Sequence, residues 1–129
     1  MDVQYCMANQ ISIQNNQTPR ENYKQVQAQI LKGLRYMIVL HLLKMKPTHG
    51  YGIISVIRKK FGIYLGPSSV YPILNDLEAW GYIESTWNFA HFRPRKVFAL
   101  TNQGQTMLAT MENSVGHILR GLGIAGTPN

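Results

Sequence analysis

The stretch GPSSVYPILNDLEAWGYIE, from Gly66 to Glu84, predicts a short amphipathic helix that turns into a β-strand. Proline suits the first position of a helix, where a missing N–H leaves no hydrogen bond unmade, so the helix begins at Pro67. One face is apolar at helical spacing and consists of Val70, Ile73, Leu74 and Leu77. Pro72 should loosen the first turn. Because the apolar period runs through this proline, we expect the helix to continue to Gly81.

The opposite face of this helix carries small polar groups and one exposed phenol. Ser68, Tyr71 and Asn75 lie there, with Ser69 at the edge. Serine and tyrosine hydroxyls bind phosphate oxygens, and asparagine can pair with adenine through two hydrogen bonds in the major groove. The N-terminus of a helix also attracts phosphate. Alternatively, the two serines only start the helix and Tyr71 packs against a neighbouring hairpin.

Two further helices are predicted upstream. The first spans residues 24–45, where apolar residues recur every four positions at Val26, Ile30, Leu34, Ile38 and Leu42. Pro47 ends it, and Thr48 then caps a second helix that extends to about Lys60. Gly62 follows, as expected just beyond a helix end.

Downstream of Gly81 the pattern changes to that of a hairpin. Residues 82–88 and 95–100 are rich in aromatic and β-branched side chains. Thr101 then caps a last helix that extends to about Gly121. The order predicts a mainly α fold with a small β-hairpin. This is a winged helix-turn-helix, with a three-helix core, a wing and a C-terminal dimerisation helix.

The predicted domain organisation places this winged helix-turn-helix between two less ordered ends. Residues 1–22 are rich in Gln and Asn and are expected to form a flexible arm. The DNA-binding domain spans residues 23–100, and the dimerisation helix spans residues 101–122. The last segment, residues 123–129, contains Gly and Pro and is expected to be a flexible tail.

The wing carries a cluster of cations. Arg93, Arg95 and Lys96 crowd one arm of the hairpin, where their charges repel unless an anion neutralises them. In a wing these side chains can straddle a phosphate backbone or enter the minor groove. Alternatively, the charges protect an edge strand from aggregation.

The last helix carries a narrow apolar seam of about two heptads. Its residues are Leu108, Met111, Val115, Ile118 and Leu122. A second subunit would bury this seam together with the first helix, and dimers match the two half-sites of an operator. Alternatively, the seam packs against the first helix of the same chain.

The excess positive charge of the chain is concentrated in its middle. The formal net charge is +7, and residues 32–96 contain ten basic against three acidic side chains, whereas both flanks are neutral. This distribution suits a polyanionic partner such as DNA, although a solvated basic surface is the alternative.

The sequence offers little support for an enzyme or for a membrane protein. Cys6 is a single cysteine, which excludes an internal disulfide framework and suits the cytoplasm. We expect no signal peptide and no membrane span. The four histidines, His41, His49, His91 and His117, are scattered, and none has a metal-ligand spacing. We therefore expect no catalytic residues, no metal and no cofactor.

Three ordered motifs resemble the PadR family of transcription regulators. They are LKGLRYMIVLHLLKMKPTHGYGI (Leu31 to Ile53), GPSSVYPILNDLEAWGYIE (Gly66 to Glu84) and RKVFALTNQG (Arg95 to Gly104). The resemblance covers about residues 30–110, and it accounts for Pro72, because the family has Tyr-Pro inside its recognition helix.

The resemblance implies a winged-helix homodimer that binds a pseudo-palindromic operator, usually as a repressor. It places Ser68, Ser69, Tyr71 and Asn75 on the recognition helix, and Arg95 and Lys96 on the wing strand. It also places His49 and Tyr51 at the start of the preceding helix, near the DNA backbone.

The chain departs from the family pattern at several positions. Ser68 stands where the family often has Gly, and Phe98 where it often has Tyr. The usual glycine-rich wing tip is replaced by Asn-Phe-Ala-His-Phe-Arg-Pro. The short C-terminal part is similar to that of the small members, which have one terminal helix.

The function predicted from these patterns is that of a sequence-specific regulator that binds double-stranded DNA as a homodimer. Two alternatives remain open. One is a winged-helix module that binds protein partners through Trp87, Phe89 and Phe92. The other is a sensor whose pocket at the dimer interface takes a small aromatic effector, stacked on Trp80 or Trp87.

Overall fold

The structure of the chain is a computed structural model that describes residues 19–90 and 92–124. The chain divides into two compact units at Gly33. The first unit contains helix α1, and the second contains every other element. In chain order the elements are α1 (Pro19–Gly33), α2 (Arg35–Met45), β1 (Thr48–His49), α3 (Gly50–Phe61), α4 (Pro67–Ala79), β2 (Ile83–Asn88), β3 (Arg95–Leu100) and α5 (Asn102–Gly121).

The single helix predicted over residues 24–45 is wrong, because the structure has two helices there. The break lies at Leu34, whose φ of −99° and ψ of 10° leave the helical region. Gly33 precedes this break, and glycine costs about 1 kcal/mol relative to alanine inside a helix. Helix α1 also begins at Pro19, within the predicted arm. Residues 1–18 and 125–129 lie outside the described residues.

The core of the second unit is formed by the three helices α2, α3 and α4 with the sheet and the start of α5. The predicted buried face of α4 is confirmed, since Val70, Ile73, Leu74 and Leu77 are all buried. The helix runs unbroken through Pro72. The other buried core residues are Val39, Leu40, Leu42, Leu43, Ile53, Ile54, Ile57, Ile83, Phe98 and Leu108. This core fixes α4 against α3, which sets the geometry of a helix-turn-helix.

The start of α3 differs from the prediction. Thr48 does not cap the helix; it forms the two-residue strand β1 with His49, and His49 occupies the N-cap position. The end of α3 follows the prediction. Gly62 has a left-handed φ of 67°, and its N–H donates to the carbonyl of Arg58 at 2.8 Å. Only glycine adopts this φ without strain.

The wing is part of a three-stranded antiparallel sheet with the order β1-β3-β2. The predicted hairpin is confirmed, with Ile83 opposite Leu100 at its base and Asn88 opposite Arg95 at its tip. Strand β1 pairs with the other edge of β3, with Thr48 opposite Phe98. The wing is thereby tied to the residues that lead into α3.

Helix α5 begins where Thr101 caps it, as predicted. The Thr101 hydroxyl accepts from the N–H of Gly104 at 3.0 Å and donates to the carbonyl of Gly81 at 2.7 Å. Gly104 is buried, and a β-carbon there would collide with the carbonyl oxygen of Tyr82. These contacts fix the direction in which α5 leaves the sheet and crosses α2.

Candidate nucleic-acid interface

The first turn of α4 presents polar groups to solvent. Gly66 is the N-cap and Pro67 follows at the first helical position, and no side chain of the described residues caps this helix. The Gly66 carbonyl accepts from the N–H groups of Ser69 and Val70, both at 3.0 Å. Ser68 and Ser69 are exposed beside this helix start. Their hydroxyls and the positive end of the helix dipole form a surface that suits a phosphate.

Tyr71 joins α4 to the start of α3. Its ring lies over Gly50, where an added β-carbon would be 2.6 Å from the Tyr71 hydroxyl oxygen. Its centroid is 6.3 Å from that of Tyr51, in an edge-to-face arrangement. Burial, and then the neighbouring Tyr51 hydroxyl, raise the pKa of Tyr71 above its ordinary value of 10.0. The hydroxyl therefore stays protonated and can donate to a phosphate oxygen at neutral pH.

A cleft lies between the N-terminal parts of α3 and α4 on one side and the wing on the other. Its volume is about 520 Å³. The lining residues are His49, Tyr51, Tyr71, Trp87, Arg93, Pro94, Arg95 and Lys96. Six of the nine residues predicted to bind DNA thus surround one space, although they come from three separate parts of the chain. The arrangement combines phenol groups and cations, which is the chemistry that binds a phosphate backbone.

The cleft also contains Trp87, which was not predicted as a DNA-binding residue. Trp87 lies opposite Lys96 in the hairpin. Side chains directly opposite each other in an antiparallel pair lie on the same face of the sheet. The register of the hairpin could therefore have placed Trp87 beside the basic residues.

Lys96 differs from the two arginines of the wing because it has partners within the chain. Its Nζ is 3.8 Å from Oε1 of Glu78 on α4 and 5.6 Å from the ring centroid of Phe98. The Ser85 hydroxyl donates to the same Glu78 carboxylate. Arg93 and Arg95, by contrast, are exposed. Lys96 thus links the wing to α4, and the arginines carry most of the accessible positive charge of the cleft.

Asn75 and the two serines lie outside the lining of the cleft. Asn75 is exposed on α4, one turn beyond Tyr71. Residues three or four positions apart share one face of a helix, so Ser68, Tyr71 and Asn75 form one solvent-facing row. This row continues the surface of the cleft along α4.

The predicted dimerisation seam of α5 divides into two parts. Leu108 is only 1% exposed and belongs to the core of its own chain, and Met111 packs against that core. Val115 is half-buried, whereas Ile118 and Leu122 are 60% and 71% exposed. Only the second half of the helix therefore offers an apolar surface to a partner.

Trp80, predicted as a possible effector contact, sits in an aromatic cluster. Its ring centroid is 5.2 Å from that of Tyr36 and 6.3 Å from that of Tyr82. The Tyr36 hydroxyl also donates to Oδ2 of Asp76 at 2.9 Å. Trp80, at the C-terminal end of α4, therefore packs against Tyr36 of α2 and against Tyr82 just before β2, while one part of its indole stays exposed.

The described residues contain neither a cluster of metal-ligating side chains nor a helix suited to cross a membrane. No three His, Cys, Asp or Glu side chains there lie close enough together to hold a metal ion. No helix in the same part of the chain has the length and apolar character needed to cross a membrane.

The model of the transcriptional regulator PadR-like family matches residues 39–110, which include α3, α4 and the whole wing. The chain belongs to this PadR-like family. Its fold is similar to that of a PadR family regulator from Eggerthella lenta, with a TM-score of 0.71 and 24% identity over 85% of this chain and 96% of that one. No curated protein sequence matches the chain significantly.

Two Bacillus structures extend the PadR comparison. A PadR-like transcriptional regulator from Bacillus cereus has a TM-score of 0.67 and 22% identity, over 78% of this chain and 99% of that one. PadR of Bacillus subtilis, solved in complex with operator DNA, has a TM-score of 0.55 and 25% identity, over 60% of this chain and 44% of that one.

Proposed function

We propose that this PadR-like protein is a sequence-specific regulator that binds double-stranded DNA as a homodimer and represses transcription from a pseudo-palindromic operator. One observation carries the proposal: the cleft joins the start of α4 to the cations of the wing. A single DNA duplex can then contact both. The operator complex of Bacillus subtilis PadR supports the same reading by family likeness. The proposal includes a cytoplasmic location, because the proposed partner is DNA.

In the proposed complex the solvent-facing row of α4 enters the major groove. Asn75 contacts a base edge, while Ser68, Ser69 and Tyr71 hold the phosphates beside it. Tyr51 and His49 lie at the start of α3, where they face the backbone. Arg93 and Arg95 contact the next stretch of backbone from the wing, and Lys96 supports them from its position against Glu78.

The exposed part of α5 supports the homodimer. Ile118 and Leu122 are large apolar side chains that remain in water in the single chain. Within the other unit, helix α1 exposes Tyr23, Val26 and Ile30. Each of these apolar surfaces suits a second copy of the chain, and the two recognition helices of such a dimer would match operator half-sites about 34 Å apart, one turn of the DNA helix.

The test is a titration of the full-length protein against a random duplex library, with selection of the bound sequences and a salt series. We expect enrichment of a pseudo-palindrome and an affinity that falls steeply with salt. Arg95→Gln should reduce the salt slope by about one, because it removes one phosphate contact. Lys44→Gln, an exposed cation on α2, serves as the control.

The absence of duplex binding at low salt would overturn the proposal. Salt-insensitive capture of a protein partner would then favour an interaction module that uses the exposed wing aromatics.

A second candidate function, effector sensing, is favoured by the position of Trp87. Its indole shares the cleft with Tyr51, Tyr71 and two arginines. A small aromatic anion bound there would occupy the DNA-facing space and release the operator. Quenching of tryptophan fluorescence by such a compound, abolished by Trp87→Phe, would support this function. Quenching that persists in this variant would count against it.

A further inference from the structure

The tip of the wing exposes two phenylalanine side chains. The hairpin is paired up to Asn88 and Arg95, and the intervening loop extends beyond the last paired residues. Phe89 is 72% exposed, and Phe92 is fully exposed. Large apolar side chains exposed close together in the sequence are candidates for a binding surface. A hairpin needs neither of them to close, so packing among the described residues does not account for them.

The loop that carries these rings has a defined local structure at both ends. At its start, Oδ1 of Asn88 accepts from the N–H of Ala90 at 2.9 Å, an arrangement that fixes a tight turn. At its end, Pro94 restricts the backbone before β3 begins. Both features reduce the conformational entropy lost when the loop binds a partner.

The surroundings of the tip indicate an anionic partner. Arg93 and Arg95 are exposed beside Phe92, and no acidic residue occurs in the sequence between Glu84 and Glu112. Arg93, Pro94 and Arg95 also line the cleft, so the tip is continuous with the proposed DNA interface. An apolar wedge flanked by arginines suits the minor groove, where such side chains insert between base steps and kink the duplex.

We propose that Phe92 is a wedge residue that inserts between two base pairs in the groove beside the one occupied by α4, with Phe89 against the adjacent sugars. The arginines hold the backbone on either side. This inference rests on the proposed function and adds DNA deformation to it. A flexible pyrimidine–purine step opens at the lowest cost, so the wedge selects such a step without any hydrogen bond to a base.

The experiment uses the full-length protein and the duplex selected from the random library. 2-Aminopurine replaces adenine at successive positions outside the site contacted by α4, and a donor and an acceptor dye label the two ends. With the native protein we expect a rise in 2-aminopurine fluorescence at one step and a change in energy transfer that reports a bend of about 20–90°.

Substitutions at the wedge separate insertion from simple contact. Phe92→Ala should abolish both signals and weaken binding by about tenfold, the size of a single stacking contact between an aromatic ring and a base. Phe92→Leu, which keeps an apolar wedge, should retain the bend. Since Phe92 is fully exposed, neither substitution affects the core.

The experiment distinguishes a failure of the wedge from a failure of the proposed function. If the native protein binds the selected duplex with neither signal, or if Phe92→Ala bends it equally, the wedge is wrong and the proposed function stands. If no duplex is bound, both are wrong. Binding of the native protein to phosphatidylserine vesicles that is lost in Phe92→Ala, with DNA bending unchanged, would assign the tip to an anionic membrane and overturn the wedge.

Discussion

The ring of Tyr71 lies against the backbone of Gly50, so closely that a β-carbon at Gly50 would be 2.6 Å from both Cζ and the hydroxyl oxygen. Gly50→Ala must therefore displace the phenol group. We expect this substitution to weaken duplex binding by about tenfold, because hydrogen bonds to charged groups contribute about 1.5–3 kcal/mol. Anisotropy titration measures the loss, and circular dichroism checks the fold.

Gly33→Ala provides the matched control, because an added β-carbon there has no neighbour within 4 Å. An unchanged affinity in Gly50→Ala would show that the position of the Tyr71 hydroxyl is irrelevant to DNA binding.

Asn75 and Tyr71 should affect DNA binding in different ways. Asn75→Ala is expected to relax the preference at one base pair by about 1–3 kcal/mol, since a base contact carries sequence information. Tyr71→Ala is expected to weaken selected and random duplexes alike, since a phosphate contact carries none. Competition titrations with both duplexes measure the two effects. Equal losses of specific and random binding in Asn75→Ala would contradict its base role.

The Glu78 carboxylate restrains the charge of Lys96 from a distance of 3.8 Å. Glu78→Gln removes the negative charge and leaves an oxygen that can still accept from Ser85. We expect tighter binding to random duplex and a salt slope that steepens by about one, because Lys96 then pairs with phosphate. Glu84→Gln, on the neighbouring strand, is the control. An equal change of the salt slope in both variants would show that the slope depends on net charge and not on the pairing of Lys96 with Glu78.

The two parts of the α5 seam should respond differently to substitution. Ile118→Asp is expected to shift the dimer towards monomer by about 2 kcal/mol, the cost of losing an interface hot spot. Sedimentation velocity measures this shift, and Gln105→Asp on the same helix is the control. Leu108→Ala should instead lower the free energy of unfolding by about 2–5 kcal/mol, because Leu108 is buried in its own chain. A dimer unaffected by Ile118→Asp would exclude this surface.

Tyr71 should make folding sensitive to alkaline pH. Its pKa is raised in the folded chain, chiefly by burial, so the unfolded state loses this proton first as the pH rises. The associated stability is fully present below the ordinary pKa of 10.0 and is lost as the pH rises through the higher folded value. Tyr71→Phe should flatten this decline in urea titrations at alkaline pH. A decline in Tyr71→Phe identical to that of the native chain would contradict the assignment.

The sequence alone predicts the elements that have a long apolar period or a strong stop signal. The buried face of α4 is visible at Val70, Ile73, Leu74 and Leu77, and the hairpin is visible from its aromatic and β-branched strands. Thr101, a favourable N-cap residue, predicts the start of α5. In each case a local rule and the tertiary structure agree, which is why these elements are predicted in the correct order.

The errors arise where a local signal is short or is outweighed by another one. The apolar period of the first helix continues across Gly33, and it conceals the break at Leu34. Thr48 resembles a helix cap, but its backbone pairs with Phe98 in β1 instead. A two-residue strand has no periodicity to detect, and its partner lies far away in the sequence.

Most residues that line the cleft were named individually from the sequence, but their arrangement around one space was not predicted. Sequence reasoning placed Tyr71 on one helix and Arg95 on the wing without knowing that one cleft joins them. The sequence also does not predict the ion pair between Lys96 and Glu78, because this contact depends on how the hairpin packs against α4.

Strand β1 is only two residues long, yet its pairing with β3 joins the wing to the helix-turn-helix as one rigid unit. In the proposed complex the protein therefore fixes the distance between the DNA positions that α4 contacts and the DNA positions that the wing contacts. One base pair inserted between those positions would move the second contact by about 3.4 Å along the DNA axis. The duplex would have to twist to restore the fit. Operators for this protein should therefore tolerate changes of base within that interval more readily than changes in its length.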